Sequence, residues 1–415
     1  TEEATRSTAD TSLTTRISTE EVSRATADTS LTTRLSNEEV TRAAAATSLT
    51  TRLSTEEVAR SSADTSLATV DVSISSALST QEANMLAGRF GIDLDFTTNA
   101  YAVNGSRAST VATIPNITVT RASAGYAETI EGTLTAFSSG EARRTNKGLL
   151  IEEARTNLCL QSQTFQTAWS AVLTTVAADQ TTAPDETMTA DKLTPTVMLN
   201  QHRIDQTTSI PAAPHTFSVY VKAAGYGFVW LRIGSVGAVF NLSTGAATTV
   251  SGGATAYSVQ AANGWWRCVV SCTTLGSDTV RINVSEGPTA ADFSGDGTSG
   301  IFVWGAQLEA ASTASSYIVT TSASATRAAD VISVGGLAVA APLTLVTGFE
   351  AAQATSGTKY IAQLDAGTQN NVLLNYLSGT MARRAYVTAS GVAQADVNAG
   401  VNVAVGAQWT MAGLF

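Results

Sequence analysis

The amino-acid sequence predicts a mainly β protein with an N-terminal α-helical coiled-coil stalk. Residues 1–72 are four copies of one 18-residue repeat that contains no Gly, Pro or aromatic residue. From about residue 93 onward, short runs rich in Val, Ile, Phe, Tyr and Trp alternate with turn-forming Gly, Asn and Asp. That texture is typical of β-sandwich or jelly-roll modules. The two regions together indicate a fibrous protein made of distinct parts.

The repeat predicts a helix because 18 residues make about five turns at 3.6 residues per turn, so every copy presents the same face. Leucine pairs on that face, such as Leu31 and Leu35, alternate with charged and small residues at a spacing of three or four, as in a coiled coil. A helix of this composition cannot bury its apolar face within its own chain, so the stalk is expected to oligomerise. The expected core positions are Leu13, Ile17, Leu31, Leu35, Leu49, Leu53 and Leu67.

Two other interpretations of the repeat stay open at this point. Ser precedes Glu by three residues at Ser18, Ser36 and Ser54, which resembles a capping box and would break the helix once per repeat. A disordered linker rich in Thr and Ser is the second alternative. The leucines at fixed positions in successive copies favour the oligomeric stalk.

The pattern of strands and turns divides the chain into four parts. Residues 1–84 form the stalk, 85–157 a β-rich connector, 158–322 a complete sandwich, and 328–415 the start of a second, incomplete sandwich. Predicted strands cover residues 215–222, 228–233, 266–272, 279–284 and 300–305. Turns are predicted at 263–264 and 295–297, where Asn and Gly occur together or Gly flanks Asp.

Overall charge and hydropathy exclude several classes of partner. The net charge is −10 at pH 7 and the pI is about 4.8, which argues against nucleic acid and offers no basic face for an anionic membrane. No apolar run approaches the roughly 20 residues of a membrane-spanning helix. The chain begins without Met and stops within a predicted strand, so further residues are expected beyond both ends.

Ordered motifs along the chain resemble those of phage tail-fibre and adsorption proteins. Residues 117–123 (ITVTRAS) and 148–158 (GLLIEEARTNL) are similar to the connector of such fibres, and the stalk repeats also resemble theirs. The next module resembles a carbohydrate-binding-module-like jelly roll. Its motifs are Phe165, Trp169, 183–185 (APD), 189–193 (TADKL), 217–223 (FSVYVKA), 263–268 (NGWWRC), 295–301 (GDGTSGI), 303–309 (VWGAQLE), 316–320 (SYIVT) and 326–330 (TRAAD). The segment after residue 330 is similar to the start of a concanavalin-like, laminin-G-like sandwich.

The resemblance implies a homotrimeric fibre on a bacteriophage virion. Such a fibre contacts other tail or baseplate proteins and a glycan on the host surface. The number of three chains comes from the resemblance, since the apolar stripe does not determine it. Binding residues vary between members, so the resemblance assigns no sugar ligand to a named position.

An enzymatic function is not expected. The chain has two histidines, His202 and His215, so a histidine triad or a His-rich metal site is poorly supported. His215 is interpreted as a turn residue at the start of a strand. A glycosidase needs a pair of carboxylates, and 34 acidic residues leave that alternative open. The adjacent Glu152 and Glu153 would point apart on a strand.

Sugar binding is expected where exposed aromatic rings lie beside polar groups. Tyr226, Trp230 and Arg232 form the best local cluster, because Trp230 and Arg232 share one face of a predicted strand. The alternative is that Trp230 belongs to the core and Arg232 to its rim. Trp265 and Trp266 should face opposite ways, so one is core and the other accessible, and Trp265 is assigned to the sugar site. Trp304 is predicted to be core.

No cofactor is expected, and a structural calcium ion is the open alternative. Asp191, Asp292, Asp296 and Glu309 could supply carboxylate oxygens, but they are scattered in sequence, which favours solvated loops.

Three cysteines form no disulfide framework, so buried thiols are expected. A disulfide between Cys159 and either Cys268 or Cys272 is the alternative. Cys268 and Cys272 lie four residues apart on a predicted strand and should share one face.

The sequence therefore predicts a non-enzymatic tail-fibre protein, located on an external appendage of the virion, that recognises a host-surface glycan. The acidic charge favours neutral or zwitterionic sugars. The alternatives are a purely structural virion fibre of the collar, head or baseplate, and a glycan-cleaving enzyme.

Overall fold

A single uninterrupted α-helix, α1 (Glu2–Leu86), opens the chain in the computed structural model. The structure describes residues 1–86, 92–129, 133–145, 147–273, 276–289, 291–337, 344–351, 359–365, 372–377, 381–389, 392–403 and 408–414. Helix α1 contains 85 residues, which corresponds to about 130 Å at a rise of 1.5 Å per residue. No helix among the described residues is long and apolar enough to cross a lipid bilayer.

The helix runs through all four repeats without a break. Threonine hydroxyls donate to the carbonyl oxygen four residues earlier, as Thr14 does to Asp10 at 2.8 Å and Thr32 to Asp28 at 2.8 Å. These hydroxyls share the carbonyl oxygens that the backbone also uses, and the helix nevertheless continues from Glu2 to Leu86. The alternative of one short helix per repeat is therefore wrong, and so is the disordered linker.

The predicted core positions of the stalk lie exposed along this single helix. Their side chains are 51% to 68% exposed, a range set by Ile17 and Leu67. The other members are Leu13, Leu31, Leu35, Leu49 and Leu53. Exposed apolar residues that recur every 18 residues are an unusual surface for a helix in water.

Nine short strands follow between residues 92 and 157. They are β1 (Ile92–Asp95), β2 (Ala100–Val103), β3 (Ser106–Ala108), β4 (Ile117–Thr120), β5 (Gly125–Glu128), β6 (Leu134–Phe137), β7 (Arg144–Thr145), β8 (Gly148–Leu149) and β9 (Arg155–Asn157). Strands β1, β2 and β3 form one antiparallel sheet, while β5 pairs with β6 and β7 with β8. A 3₁₀ turn, Val111–Thr113, precedes β4.

The next twelve strands build two six-stranded antiparallel sheets. They are β10 (Ser170–Val172), β11 (Thr174–Thr181), β12 (Ala190–Pro195), β13 (His202–Ile210), β14 (Pro214–Ala224), β15 (Phe228–Ile233), β16 (Val236–Asn241), β17 (Ala247–Ser251), β18 (Thr255–Gln260), β19 (Trp266–Thr273), β20 (Ser277–Ser285) and β21 (Gly300–Glu309). Sheet one has the order β10-β13-β20-β15-β16-β17, and sheet two has the order β11-β12-β21-β14-β19-β18. All five predicted strands are confirmed within β14, β15, β19, β20 and β21.

One hydrophobic cluster contains residues of both sheets. Phe217 on β14 and Leu308 on β21 come from sheet two, and Leu231 on β15 and Ile282 on β20 come from sheet one; all four are fully buried. Alternation along each strand directs the apolar set to this cluster and the remaining side chains to the outer faces. The arrangement is compatible with a β-sandwich, while the jelly-roll topology stays a prediction.

Turn chemistry in this module follows the sequence. Asn263 and Gly264 have positive φ of 58° and 78°, which Asn and Gly tolerate best. In the loop before β21, Gly297 has φ of 72°. Both predicted turns are confirmed.

Eight further strands complete the described chain. They are β22 (Ala325–Arg327), β23 (Val331–Val334), β24 (Thr344–Glu350), β25 (Lys359–Asp365), β26 (Val372–Leu377), β27 (Ala382–Ala389), β28 (Val392–Asn402) and β29 (Gln408–Leu414). Strands β25 to β28 form a four-stranded antiparallel sheet in chain order, and β24 pairs with β29.

The connector is joined to later parts of the chain by strand pairing. Strand β9 pairs with β22, and β4 pairs with β23. Tyr126 and Leu134 of the connector also pack on a second buried cluster that contains Trp304 and Tyr317. The predicted boundaries at 157/158 and 322/328 therefore separate residues that pair and pack together.

Candidate functional site

The outer face of sheet one gathers polar and aromatic side chains from three adjacent strands. Two rows cross the sheet in register: Arg203, Asn283 and Trp230 form one, and Asp205, Arg281 and Arg232 form the other. The residues between them, such as Ile204 and Leu231, point into the core between the sheets. The outer-face cluster is defined as Arg203, Asp205, Trp230, Arg232, Arg281 and Asn283.

Trp230 and Arg232 form a cation–π pair within this cluster. They lie two residues apart on β15, on the same face, and the guanidinium carbon of Arg232 is 4.3 Å from the centre of the Trp230 ring. Trp230 is partly exposed and belongs to no buried cluster. The predicted common face of the two residues is confirmed, and the alternative of a core Trp230 is wrong. The guanidinium thus lies over one face of the indole.

A glycine on the neighbouring strand makes room for Arg232. Gly237 on β16 is its direct partner in the ladder. A Cβ atom added at Gly237 would lie 2.2 Å from the backbone oxygen of Leu231 and 2.9 Å from Cγ of Arg232. Both distances are too short for real contacts, so only glycine fits opposite Arg232. This close approach lets the arginine stem lie against the sheet and holds its guanidinium over Trp230.

Two of the three guanidinium groups in the cluster share one carboxylate. Nε of Arg203 donates to both oxygens of Asp205 at 3.1 and 3.0 Å. Arg281 is 3.7 Å from Asp205 and donates from a terminal nitrogen to the carbonyl of Gly234 at 2.9 Å. Among the described residues, Arg232 forms no ion pair and donates no hydrogen bond. Partial burial, reinforced by the neighbouring Arg281 and Arg203, lowers the pKa of Arg232, while Asp205 opposes this shift.

Buried polar atoms in the cluster lack partners within the described part of the chain. They are Nε of Arg232, Nε of Arg281 and the side-chain oxygen of Asn283. The side-chain nitrogen of Asn283 is 3.5 Å from the side-chain oxygen of Gln201. An unpaired buried polar group costs about 1–3 kcal/mol. The terminal nitrogens of Arg232, which donate to no described residue, and the partly exposed indole suit the hydroxyls and ring faces of a sugar.

Tyr226 lies apart from the outer-face cluster. Its ring packs on Phe293 with a centroid distance of 5.1 Å and on the core between the sheets. Its hydroxyl accepts a hydrogen bond from the Asp296 backbone nitrogen at 3.2 Å. Tyr226 therefore binds the loop before β21. The prediction that it lies in one cluster with Trp230 is wrong.

Trp265 is fully buried, which corrects its assignment to the sugar site. Its ring nitrogen donates to the Thr182 carbonyl at 3.1 Å, and its ring belongs to the cluster with Trp304 and Tyr317. Trp266 points the other way and packs, partly exposed, against the core between the sheets. The two rings do face opposite sides, but the packing of the connector on sheet two makes Trp265 the inner one. The core position of Trp304 is confirmed.

The four acidic residues considered for calcium do not form a common site. Asp191 is buried and accepts hydrogen bonds from the backbone of Phe165 and Asp179 at 2.8 and 3.1 Å. Asp296 is exposed and accepts from two backbone nitrogens of its own turn, and Glu309 is bonded to Ser315. Within the described ranges, no group of three or more His, Cys, Asp and Glu is placed to hold a metal ion.

The histidines and cysteines are structural. His202 is buried, with its ring nitrogens 2.6 and 2.9 Å from the carbonyls of Leu173 and Phe293. His215 is buried inside β14, where it pairs with Cys272, so its interpretation as a turn residue is wrong. All three cysteines are free and buried, which rules out the disulfide alternative. Cys268 and Cys272 share the core-facing side of β19, as expected.

A buried ionic network that joins the connector to residues 327 and 330 was missed from the sequence. We name it the arginine network. It contains Arg121, Arg143, Arg327, Glu152 and Asp330. The three arginine side chains are completely buried. Only the GLLIEEARTNL and TRAAD motifs hinted at it, and nothing in the sequence showed that they meet.

The Glu152 side chain belongs to the arginine network and is 13% exposed. The Glu153 side chain is 50% exposed. The two glutamates point apart, as expected.

Comparison with protein-family models and with curated proteins finds no match. The outer-face cluster and the stalk are therefore the features of the chain that bear on its function.

Proposed function

We propose that this chain is a subunit of a bacteriophage tail fibre whose two-sheet module binds a glycan on the host surface without cleaving it. The outer-face cluster is the observation that carries this proposal. It places a partly exposed indole beside the terminal nitrogens of Arg232, which donate no hydrogen bond to the described residues, on the outer face of sheet one. Aromatic rings bind the apolar faces of sugars, and the polar groups bind hydroxyls.

The stalk supports a fibre of several chains. Its leucines are exposed over half of their side chains in the single helix, for example 59% at Leu31 and 65% at Leu49. Burying them between parallel helices would contribute roughly 1.5–3 kcal/mol for each leucine. We propose a homotrimer, on the resemblance to phage fibres, that is carried on the virion by other tail or baseplate proteins. Three weak sugar sites on one fibre would raise the effective affinity through multivalency.

The carboxylates of the cluster favour binding over hydrolysis. Glycoside hydrolysis uses two carboxyl groups that flank the bond to be cleaved. The outer-face cluster contains one, Asp205, and that one is bonded to Arg203. A glycan bound at this face would therefore be retained intact.

Glycan-array binding by the full chain tests the proposal. Trp230→Ala should weaken binding by about 1 kcal/mol per engaged site, a typical value for an aromatic contact. Tyr257→Ala is the matched control, because Tyr257 is an aromatic residue on the edge strand of sheet two and is 43% exposed. Unchanged binding by a folded Trp230→Ala variant would contradict the proposal. Release of oligosaccharides from purified polysaccharide would identify the enzymatic alternative.

A purely structural virion fibre is the second candidate. The loop between β12 and β13 exposes three consecutive apolar residues, Val197, Met198 and Leu199, at 69%, 59% and 72%. Such a tip suits contact with a neighbouring protein subunit. Binding of no glycan at all, together with loss of virion assembly on replacing Leu199 by Ser, would favour this function.

A further inference from the structure

The charge of the outer-face cluster is opposite to that of the whole chain. The chain carries a net charge of −10, whereas the cluster holds Arg203, Arg232 and Arg281 against one acid, Asp205. Asp205 is bonded mainly to Arg203, at 3.0 and 3.1 Å, and is 3.7 Å from Arg281. Arg232 is left without a carboxylate in the described part of the chain.

Arg232 and Arg281 are direct neighbours across two strands. They are register partners in the β15–β20 ladder, and their side chains leave the sheet on the same outer face. Like charges placed directly opposite each other in a sheet are destabilising. The Nε atoms of both are buried and donate no hydrogen bond to the described chain, and Nε of Arg281 lies 3.7 Å from Asp205. The terminal nitrogens of Arg232 also donate no hydrogen bond to the described residues, so they are the donors that remain for a ligand. A pair of adjacent guanidinium groups with free donors is the arrangement that binds carboxylate and phosphate oxygens.

A neutral sugar would not need this arrangement. Hydroxyl groups are bound equally well by amides and by single charged groups that already have partners. The second and third guanidinium groups add cost without adding selectivity for a neutral ligand, since each repels the others. An anion between Arg232 and Arg281 would remove that repulsion and fill the open donor positions.

We infer that the outer-face cluster binds an anionic saccharide, with its carboxylate or phosphate between Arg232 and Arg281 and its sugar ring on Trp230. The inference rests on the proposed glycan-binding function and names its ligand class. It replaces the expectation of neutral or zwitterionic sugars, which followed from the net charge of the chain. The local field at the face is set by the nearest charges, because those beyond about 8–10 Å are screened by salt.

Titration calorimetry with the full chain tests the inference. The probes are a hexuronic-acid oligosaccharide, a phosphorylated oligosaccharide and a neutral oligosaccharide of the same length. One of the two anionic probes should bind at least about tenfold more tightly than the neutral one, and the better of them identifies the anionic group. Its affinity should fall as NaCl is raised, because the contact is between charges.

Two substitutions with opposite expected signs report on the charge of the site. Arg232→Gln should weaken binding of the anionic probe about tenfold and that of the neutral probe much less, because glutamine keeps a hydrogen-bond donor but loses the charge. Asp205→Asn should strengthen binding of the anionic probe several-fold, because it removes the only carboxylate of the cluster. If one of the two variants fails to fold, the other still tests the inference. Thermal denaturation checks the folding of both variants.

Arg155→Gln is the matched control. The Arg155 side chain is 25% exposed and lies 3.7 Å from Glu153, and that of Arg281 is 25% exposed and 3.7 Å from Asp205. Removing an equally exposed, equally paired charge outside the cluster should leave binding of every probe unchanged. An equal loss with Arg155→Gln would show a general charge effect and overturn the inference.

The outcomes separate the inference from the proposed function. Neutral binding that Trp230→Ala weakens, with no preference for either anionic probe and no gain with Asp205→Asn, overturns the anionic ligand and keeps the glycan-binding function. Failure of all three probes to bind overturns both. Preference for an anionic probe, with the opposite effects of the two substitutions, supports both.

Discussion

The guanidinium of Arg143 is bonded to the carboxylate of Asp330, which lies 187 residues further along the chain. Both side chains are inaccessible or nearly so, at 0% and 3% exposure. Arg143 also donates to Glu152 at 2.7 Å and to the Ser316 hydroxyl at 2.6 Å. Arg143, itself in the connector, thus bonds to Ser316 at the end of the two-sheet module and to Asp330 in the segment that follows.

Arg143→Met should destabilise the protein strongly. The substitution leaves Asp330 and Glu152 with fewer partners in a buried setting, and breaking a buried ion pair by removing one partner typically costs about 3–5 kcal/mol. Denaturant unfolding of the full chain measures the change. Arg155→Met is the control, because its ion pair is exposed and should contribute less than about 1 kcal/mol. Equal effects of the two substitutions would show that the arginine network is not a stabilising element.

Glu152 should make stability fall in mild acid. Burial raises the pKa of Glu152, but Arg327, Arg143 and hydrogen bonds from Ser316 outweigh it and lower the pKa below its ordinary 4.5. A carboxyl group with a lowered folded-state pKa stabilises the protein above its unfolded-state pKa, and this contribution disappears as pH falls through the folded-state value. Thermal denaturation between pH 6 and pH 3 should show the loss below pH 4.5. The Glu152→Gln variant should lack that part of the pH dependence.

A fragment of residues 158–322 should be less stable than a fragment of residues 92–337. The shorter one loses Tyr126, whose ring is 5.2 Å from that of Tyr317, and the strands β9, β22 and β23. Its buried aromatic cluster would face water, and each ring uncovered costs about 1.5–3 kcal/mol. Differential scanning calorimetry of both fragments checks this. Equal transition temperatures would mean that the two-sheet module is independent of the connector.

The stalk should be a trimer of parallel helices. Replacing Leu31, Leu35, Leu49 and Leu53 by Ser should dissociate residues 1–84 into monomers and reduce their helical circular dichroism, since short-range propensity alone supports a polar helix poorly. Sedimentation equilibrium reports the mass. Replacing Val22, Val40 and Val58 by Ser is the control, because these residues lie on the opposite side of α1 and are 64% to 67% exposed. A monomeric mass for the wild-type stalk would contradict the proposed trimeric fibre.

Gly237→Ala should destabilise sheet one and displace Arg232. The added methyl group would lie 2.2 Å from the Leu231 carbonyl oxygen. This is a backbone contact, so it can be relieved only by moving the strand, which typically costs about 1–3 kcal/mol. Gly227→Ala is the matched control, since a Cβ at Gly227 has no neighbour within 4 Å. Urea unfolding of both variants makes the comparison. No difference between them would show that the Arg232 position tolerates a wider partner.

Local sequence patterns were sufficient to predict helix α1, strand β15 and the turn at residues 263–264. The 18-residue period of the repeats has the helical phase, so α1 was predictable without any tertiary contact. Period-two alternation located β15 at residues 228–233 and placed Trp230 and Arg232 on one face. Asn263 and Gly264 marked a turn because few other residues accept their positive φ.

The tertiary structure alone decided which of these residues meet. Arg203 and Arg281 join Arg232 only because β13, β20 and β15 are neighbours in sheet one, and strand order is set by long-range pairing. Trp265 is buried because the connector packs over it, and Arg143 finds Asp330 across 187 residues. Helix phase and strand alternation follow from neighbouring residues, whereas register, burial and charge pairing depend on contacts between distant segments.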